Sequence, residues 1–319
     1  MLGTFLDLAT LQPQDLDLSE LWASLPRWQS HATTAPADRR AHLHGATVAV
    51  TNKVLLDAPT LAAAEQLKLI CIAATGTNNV DLAAAAEQGI QVCNVRDYAV
   101  ASVGQHTLAL MLGLATQWAR YQAAVQRGDW SRSELFCLMD YPAVELAGRT
   151  LGIVGYGRLG QEVARLGAAL GMQVNVAASL RANAAPEAGR LPLEHVLAQS
   201  DVLSLHCPLT PETAGLINAE RLALMKRGAL LVNTARGGLI DEAALAAALR
   251  SGQLGGAALD TLSVEPPPAD HPLLGMRDCN LILTPHSAWL AREARQRLIG
   301  IVADNIHSWR QGALHNRVV

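Results

Sequence analysis

Leu151-Gly152-Ile153-Val154-Gly155-Tyr156-Gly157-Arg158-Leu159-Gly160 is the stretch that decides the fold. The apolar run from Leu151 to Val154 predicts a buried strand, and it passes directly into a G-x-G-x-x-G. Beyond the glycines, Leu159, Val163, Leu166 and Leu170 recur at spacings of four, three and four, the period of one helix face. Alone, such a motif is a glycine-rich turn that recurs in unrelated chains. Strand, glycine turn and helix in that order are what a dinucleotide-binding turn requires. Gly155 makes the tight turn, Gly157 lets the backbone approach a pyrophosphate, and Gly160 lets helix lie close on strand. The phosphates then sit at the helix N-terminus, where N–H groups and the dipole favour an anion.

Apolar runs alternate with helical stretches on both sides of this turn. Towards the C-terminus, strands are predicted at 150–154, 173–177, 201–206, 229–234, 257–259 and 281–284. One of the helices between them opens at Asp241 as N-cap and stops near Gly252. Six strands with intervening helices match a whole dinucleotide-binding domain. Towards the N-terminus, strands are predicted at 4–8, 47–51, 69–73 and 90–95, with helical stretches at 58–66 and 81–88. The class is therefore α/β, with parallel, doubly wound sheets. Residues 12–40, with prolines and scattered charges, are less regular. His42 and His44 alternate as on a strand edge; with no third partner for a metal they are read as surface histidines, and no metal site is expected. In the tail, Leu298, Val302, Ile306 and Trp309 share one face of an amphipathic helix with no strand after it, so it is expected to return over the first domain.

Composition narrows the function. The chain has 319 residues, half of them apolar, enough for about two domains with a sizeable core. A net charge of −3 provides no basic field for nucleic acid or an anionic membrane, and aromatics at 4% provide no stacking platform for single strands. Five cysteines, odd in number and without a C-x-x-C, read as reduced core thiols of a cytoplasmic protein. The first residues reach Asp7 without a basic segment, so no signal peptide is expected. Residues 98–119 carry no Asp, Glu, Lys or Arg, but Gln105, His106 and Thr107 near the middle make a bilayer span expensive. A buried helix at a domain or subunit interface is the better reading. The following stretch, 130–142, mixes Trp130, Phe136, Met139 and Tyr141 with charges, and is expected to cover a partner subunit or a cleft.

A nucleotide fold does not name a reaction, but three strand ends do carry chemistry. Ligands of open α/β sheets sit beyond the carboxyl ends of strands. Arg236, in Asn233-Thr234-Ala235-Arg236-Gly237-Gly238, stands at such an end, and its fork suits a carboxylate. Its bland alternative is a surface ion pair. Glu265 follows another strand in Ser263-Val264-Glu265-Pro266, and by itself is a solvated loop acid. His286 ends a third, in Thr284-Pro285-His286-Ser287, and by itself is a satisfied core histidine. A histidine and a carboxylate meeting over a nicotinamide would form a proton donor for hydride transfer to a ketone. Their pairing cannot be read from sequence.

With these residues in place, the chain resembles the D-isomer-specific 2-hydroxyacid dehydrogenases over essentially its full length. The matching blocks run in family order. They are Ala74-Thr75-Gly76-Thr77-Asn78-Asn79-Val80-Asp81, Gly104-Gln105-His106-Thr107, the glycine motif and His206-Cys207-Pro208-Leu209-Thr210. Residues 232–238, Ala257-Ala258-Leu259-Asp260 with Glu265-Pro266, and Thr284-Pro285-His286 complete them. The resemblance implies a small 2-keto acid or D-2-hydroxy acid as substrate. Arg236 and the backbone N–H groups of Thr75, Gly76 and Thr77 would hold its carboxylate, and His286 paired with Glu265 would move the proton. Cofactor contacts would come from Gly155, Tyr156, Gly157, Arg158, Leu159, Gly160, Cys207, Pro208, Thr234 and Ala235, with Asp260 meeting the nicotinamide. A flavodoxin-like substrate domain, 1–98 plus 287–319, would be interrupted by a Rossmann cofactor domain, 99–286, and the two would close on the substrate. The family is usually dimeric, which implies a homodimer through 98–142. Within it, residues 94–98 and 286–289 look most like hydroxypyruvate and glyoxylate reductases.

One departure bears on the cofactor. Members that prefer NAD carry an acid about 20 positions past the first glycine, on the ribose 2′-hydroxyl. Here Ala178 stands at that point, followed by Ser179 and Arg181. NADP(H) is therefore favoured, with Arg181 and Arg158 as phosphate partners and NAD(H) still accepted. Two rival readings keep the fold: a relative oxidising another small anion such as phosphite, and a nucleotide-sensing, corepressor-like binding protein. Formate oxidation is a further such reading, but the relatives that carry it out have glutamine where Glu265 stands, which speaks against it.

Overall fold

Strands form where apolar runs can be covered on both faces. In the computed structural model, which describes residues 1–180 and 188–319, Val48–Thr51 and Leu69–Ile72 are buried at every position. The first of two units, Met1–Ala99 with Leu290–Val319, is built on a five-stranded parallel sheet. Its strands are β1 (Leu2–Phe5), β2 (Arg27–Ser30), β3 (Val48–Thr51), β4 (Leu69–Ile72) and β5 (Gln91–Cys93), in the order β2-β1-β3-β4-β5. That order is the flavodoxin-like winding. Leu6, Leu56, Leu61, Ile70, Ile72 and Val92 form its core.

The helix Ala58–Ala62 is capped by Asp57, which accepts from the Thr60 N–H, and Leu82–Glu87 by Asp81, which accepts from Ala84. The tail helix Arg292–Arg310 buries Leu298, Val302 and Ile306 and packs on β4. The chain beyond it does pair: Arg317 bridges Cys93, and the Val318 N–H donates to the Val92 carbonyl at 2.7 Å. This is an isolated bridge, and among the described residues no strand follows the helix, as expected. The strand edge expected at His42 and His44 is corrected. Arg39–Leu43 is a short helix that buries Leu43, and His42 stacks on His31 with ring centroids 3.5 Å apart. Strand β2 went unforeseen inside 12–40 because it is an edge strand with three of its four residues exposed, so no apolar run marks it.

The second unit, Val100–Trp289, holds the glycine turn. Its strands are β6 (Thr150–Val154), β7 (Gln173–Ala177), β8 (Arg190–Leu191), β9 (Val202–Leu205), β10 (Ala229–Asn233), β11 (Leu254–Leu259) and β12 (Leu281–Leu283). All pair in parallel, in the order β12-β11-β10-β9-β6-β7-β8. The winding reverses between β6 and β9, the switch point at which such sheets bind ligands. One face is covered by Leu205, Leu231, Leu245 and Leu259, the other by Leu151, Ile153, Val163 and Val232. Two-residue β8 is the strand absent from the six expected.

The apolar helix is Val100–Thr116, and it lays Leu110, Met111 and Leu114 on the unit's own sheet. Among the described residues no helix is long and apolar enough to cross a membrane. All five cysteines are free thiols; Cys71, Cys93 and Cys207 are buried, whereas Cys137 and Cys279 lie partly exposed rather than in the core.

Candidate active site

The glycine turn is shaped by close approach. Gly155 has φ +90°, and a Cβ there would strike the Cys207 backbone nitrogen, so no side chain is tolerated where the turn rests on the segment after β9. Gly157 caps the helix Arg158–Ala169, and nothing lies within 4 Å of where its Cβ would point. Open space in front of a helix N-terminus is what a pyrophosphate needs, so these residues fit a bound dinucleotide. Gly160 is buried in the first helical turn, Leu159 is half-buried beside it, and Arg158 is exposed. Cys207 is buried, and burial pushes its thiol up to about 11, so it stays protonated; Pro208 beside it is exposed. Burial also lowers the His206 imidazole to about 4, which keeps it neutral, with Nε2 2.9 Å from the Ser204 hydroxyl.

The carboxyl ends of β10, β11 and β12 carry the other group. His286 Nδ1 lies 2.7 Å from Glu265 Oε2, with about a third of each side chain exposed. Glu265 is held by its other oxygen, which accepts the Leu262 N–H at 3.0 Å, and the Glu265–Pro266 peptide is cis. Arg236 is exposed, and its Nη1 donates to the Ala235 carbonyl at 2.6 Å. Gly237, next to it, packs so closely that a Cβ would strike the Leu262 carbonyl carbon. The loop carrying Arg236 is thereby pressed against the loop carrying Glu265. Sequence reading placed these residues at strand ends; the close packing and the 2.7 Å pair come from the structure.

Asp260 directly follows the last residue of β11. Its carboxylate is 1% exposed and turned into the protein. Oδ1 accepts the Thr284 hydroxyl at 2.6 Å and the Ser287 N–H at 2.9 Å, and Oδ2 accepts the Ala288 N–H at 3.0 Å. His106 Nε2, from the apolar helix, stands 3.4 Å from Oδ1. The Asp260 carbonyl takes the His286 N–H at 2.8 Å. Burial alone would raise this carboxyl; the bonds from His106, Thr284 and the Ser287 and Ala288 N–H groups outweigh it and hold it below the usual carboxylate range. Asp260 therefore clamps the loop on which His286 sits at φ +53°, a left-handed backbone costly for a residue with a Cβ. Both side-chain oxygens are thus engaged by the loop that follows β12.

Several supporting residues had no sequence signal. Glu242 accepts the Ser263 N–H and hydroxyl at 2.8 and 2.6 Å and lies 3.2 Å from His271, bracing the loop that leads to Glu265. Thr234 is buried, with its hydroxyl 2.9 Å from that of Thr107. Thr75, Gly76 and Thr77 belong to the first unit, in the loop after β4. The Thr75 hydroxyl donates to the Val95 carbonyl at 2.8 Å, and the Thr75 carbonyl accepts from Asn94. Ser179 is exposed past the end of β7, and Arg181 lies outside the described residues.

The sequence profile of the D-isomer specific 2-hydroxyacid dehydrogenase NAD-binding domain matches residues 108–288, more than half of the chain. The chain belongs to this family. A glycerate dehydrogenase of Methylorubrum extorquens is 47% identical over 287 residues, 90% of each chain. A hydroxypyruvate reductase of Blautia hydrogenotrophica is 38% identical over 319 residues, 98% of each. Among solved structures, the TT0316 protein of Thermus thermophilus superposes over the whole of both chains with a TM-score of 0.86 and 34% identity. As a D-isomer specific 2-hydroxyacid dehydrogenase, the protein is an NAD(P)-dependent oxidoreductase that moves hydride between a 2-keto acid and a 2-hydroxy acid.

Proposed function

We propose that this dehydrogenase reduces hydroxypyruvate and glyoxylate, uses NADPH in preference to NADH, and works as a homodimer. The observation that carries the reaction is the 2.7 Å pair of His286 and Glu265 beside the Arg236 loop. The bound nicotinamide supplies hydride to C2. His286 Nδ1–H donates to the Glu265 carboxylate, which fixes the ring and leaves Nε2 as the nitrogen for substrate. With the ring protonated, Nε2–H gives its proton to the C2 oxygen as the alkoxide forms, and Glu265 stabilises the imidazolium beforehand. In oxidation the neutral ring takes the proton back at the same atom. Arg236 holds the substrate carboxylate through its planar fork.

The cofactor preference is supported by Ala178 and Ser179, which put no carboxylate at the end of β7 to repel a 2′-phosphate. The homodimer is supported by apolar side chains that one chain leaves in water: Trp118 at 64% exposure, Trp130 at 53%, Phe136 at 90% and Met139 at 74%. Large apolar side chains left exposed on one segment point to a surface that a partner covers.

Initial rates with glyoxylate, hydroxypyruvate and pyruvate, each with NADPH and NADH at equal concentration, test the reading. The expected result is turnover on the first two, faster with NADPH. In His286→Ala, kcat should fall by roughly 10²–10⁴-fold if the imidazole is the proton donor. No turnover on any keto acid with nucleotide binding retained would refute the assignment, and strong NADH preference would refute the cofactor part.

A further inference from the structure

The end of β7 is where the cofactor's ribose is read in this fold, and there the structure supplies a group that sequence reading passed over. Arg190 opens β8, thirteen residues past the last residue of β7. Parallel pairing sets Val176 opposite Arg190 and Ala177 opposite Leu191, so the base of the arginine is fixed beside that end. Its Nη1 donates to the Ala177 carbonyl at 3.3 Å, and its guanidinium carbon lies 4.6 Å from the centre of the Tyr156 ring. Tyr156 is the second residue of the glycine turn. The guanidinium therefore spans the two points that bracket an adenosine ribose, the end of the second strand and the pyrophosphate turn.

We propose that Arg190, stacked on Tyr156, is the residue that takes the 2′-phosphate of the nicotinamide cofactor. The inference rests on the NADPH reading and gives it a residue. Stacking on an aromatic face fixes the plane of a guanidinium. Its N–H donors lie in that plane, where an edge meets two phosphate oxygens at once. A 2′-hydroxyl offers the same edge neither charge nor a second oxygen, so the contact separates the two cofactors. Tyr156 is a positioning residue in this arrangement. Arg158 is the first residue of the helix, directly after Gly157.

Equilibrium binding to the full chain tests this without turnover. Dissociation constants for NADPH, NADH, 2′-AMP and 5′-AMP are measured by calorimetry for the wild type, Arg190→Gln, Arg190→Lys, Tyr156→Leu and Arg181→Gln, with melting temperatures as a control on folding. Arg190→Gln should weaken NADPH and 2′-AMP by about 10- to 100-fold, the range of a lost charged bidentate contact, and NADH and 5′-AMP by less than about threefold. Arg190→Lys should recover part of the loss, and Tyr156→Leu should produce a smaller loss of the same selectivity. Equal weakening of both cofactors, no weakening, or a selective loss in Arg181→Gln but not in Arg190→Gln would overturn the assignment. The wild-type ratio of NADPH to NADH affinity tests the cofactor preference separately. A wild type that favours NADH ends that reading, while a selective loss of NADPH in Arg190→Gln still upholds the contact.

Discussion

Replacing Asp260 with asparagine keeps the outline of the side chain and removes its charge, and the consequences can be followed atom by atom. The carboxylate accepts from Thr284, Ser287 and Ala288 at 2.6, 2.9 and 3.0 Å, and His106 stands 3.4 Å away. The asparagine carbonyl can keep the Thr284 and Ser287 bonds at Oδ1, weakened to neutral strength. Its amide nitrogen then faces the Ala288 N–H, donor against donor in a buried place. Two weakened bonds and one orphaned donor cost roughly 2–4 kcal/mol together. The left-handed backbone of His286, a strain of about 1–2 kcal/mol common to both proteins, favours the open loop once the clamp weakens. The loop should therefore open, and the imidazole should lose its place beside Glu265. Amide exchange at Ser287 and Ala288 should quicken by about 30- to 1000-fold, the factor equivalent to that cost, and kcat should fall with it. The sign against pH also follows. The folded carboxyl is held below its unfolded value near 3.8, so the stabilisation is complete above that value and lost as pH falls through the folded one. At pH 5 and above the penalty of the substitution should not vary from this source. Unchanged exchange at Ser287 and Ala288, with kcat at the wild-type level, would show that the loop stands without Asp260.

Three further substitutions probe other parts of the site. Glu265→Gln removes the charge 2.7 Å from His286 Nδ1 but keeps a hydrogen-bond acceptor, so kcat should drop by about 10- to 100-fold with little change in KM; a change in KM alone would place Glu265 in substrate binding. Arg236→Lys exchanges a fork for a point charge, and KM for the keto acid should rise by about tenfold or more; an unchanged KM would remove Arg236 from carboxylate recognition. His206→Gln bears on stability. The folded imidazole at about 4 lies below its ordinary 6.5, so the unfolded chain takes up a proton first, and stability is lost as pH falls from 6.5 to about 4, by roughly 3 kcal/mol. The stability gap between wild type and variant should close by that amount over this interval and stay constant below it; a gap parallel at every pH would contradict a neutral buried ring.

What was legible in the sequence follows from how local each signal is. A strand buried on both faces must be apolar throughout, so Val48–Thr51, Leu69–Ile72 and Ala229–Asn233 announce themselves. Edge strands are under no such constraint, and Arg27–Ser30 and Arg190–Leu191 were invisible for that reason. Arg236, Glu265 and His286 were legible as strand-end residues and through family likeness. Their mutual support was not, because it depends on Gly237 meeting Leu262 and on His106 reaching Thr284 across 178 positions of sequence.

The cofactor end shows the same limit more sharply. A missing acid after Ala177 is a local fact, readable from Ala178 and Ser179, and it points to what the site will not repel. What the site attracts depends on pairing. Arg181 is the nearest arginine in sequence, and β8 brings a second, Arg190, to the same strand end by a register no local pattern encodes. A two-residue strand carries almost no hydrophobic signal, and its consequence is geometric: it sets a guanidinium against the Ala177 carbonyl and the Tyr156 ring. Reading a site from sequence therefore identifies the groups that face it from their own strand ends, and overlooks those delivered by a neighbouring edge.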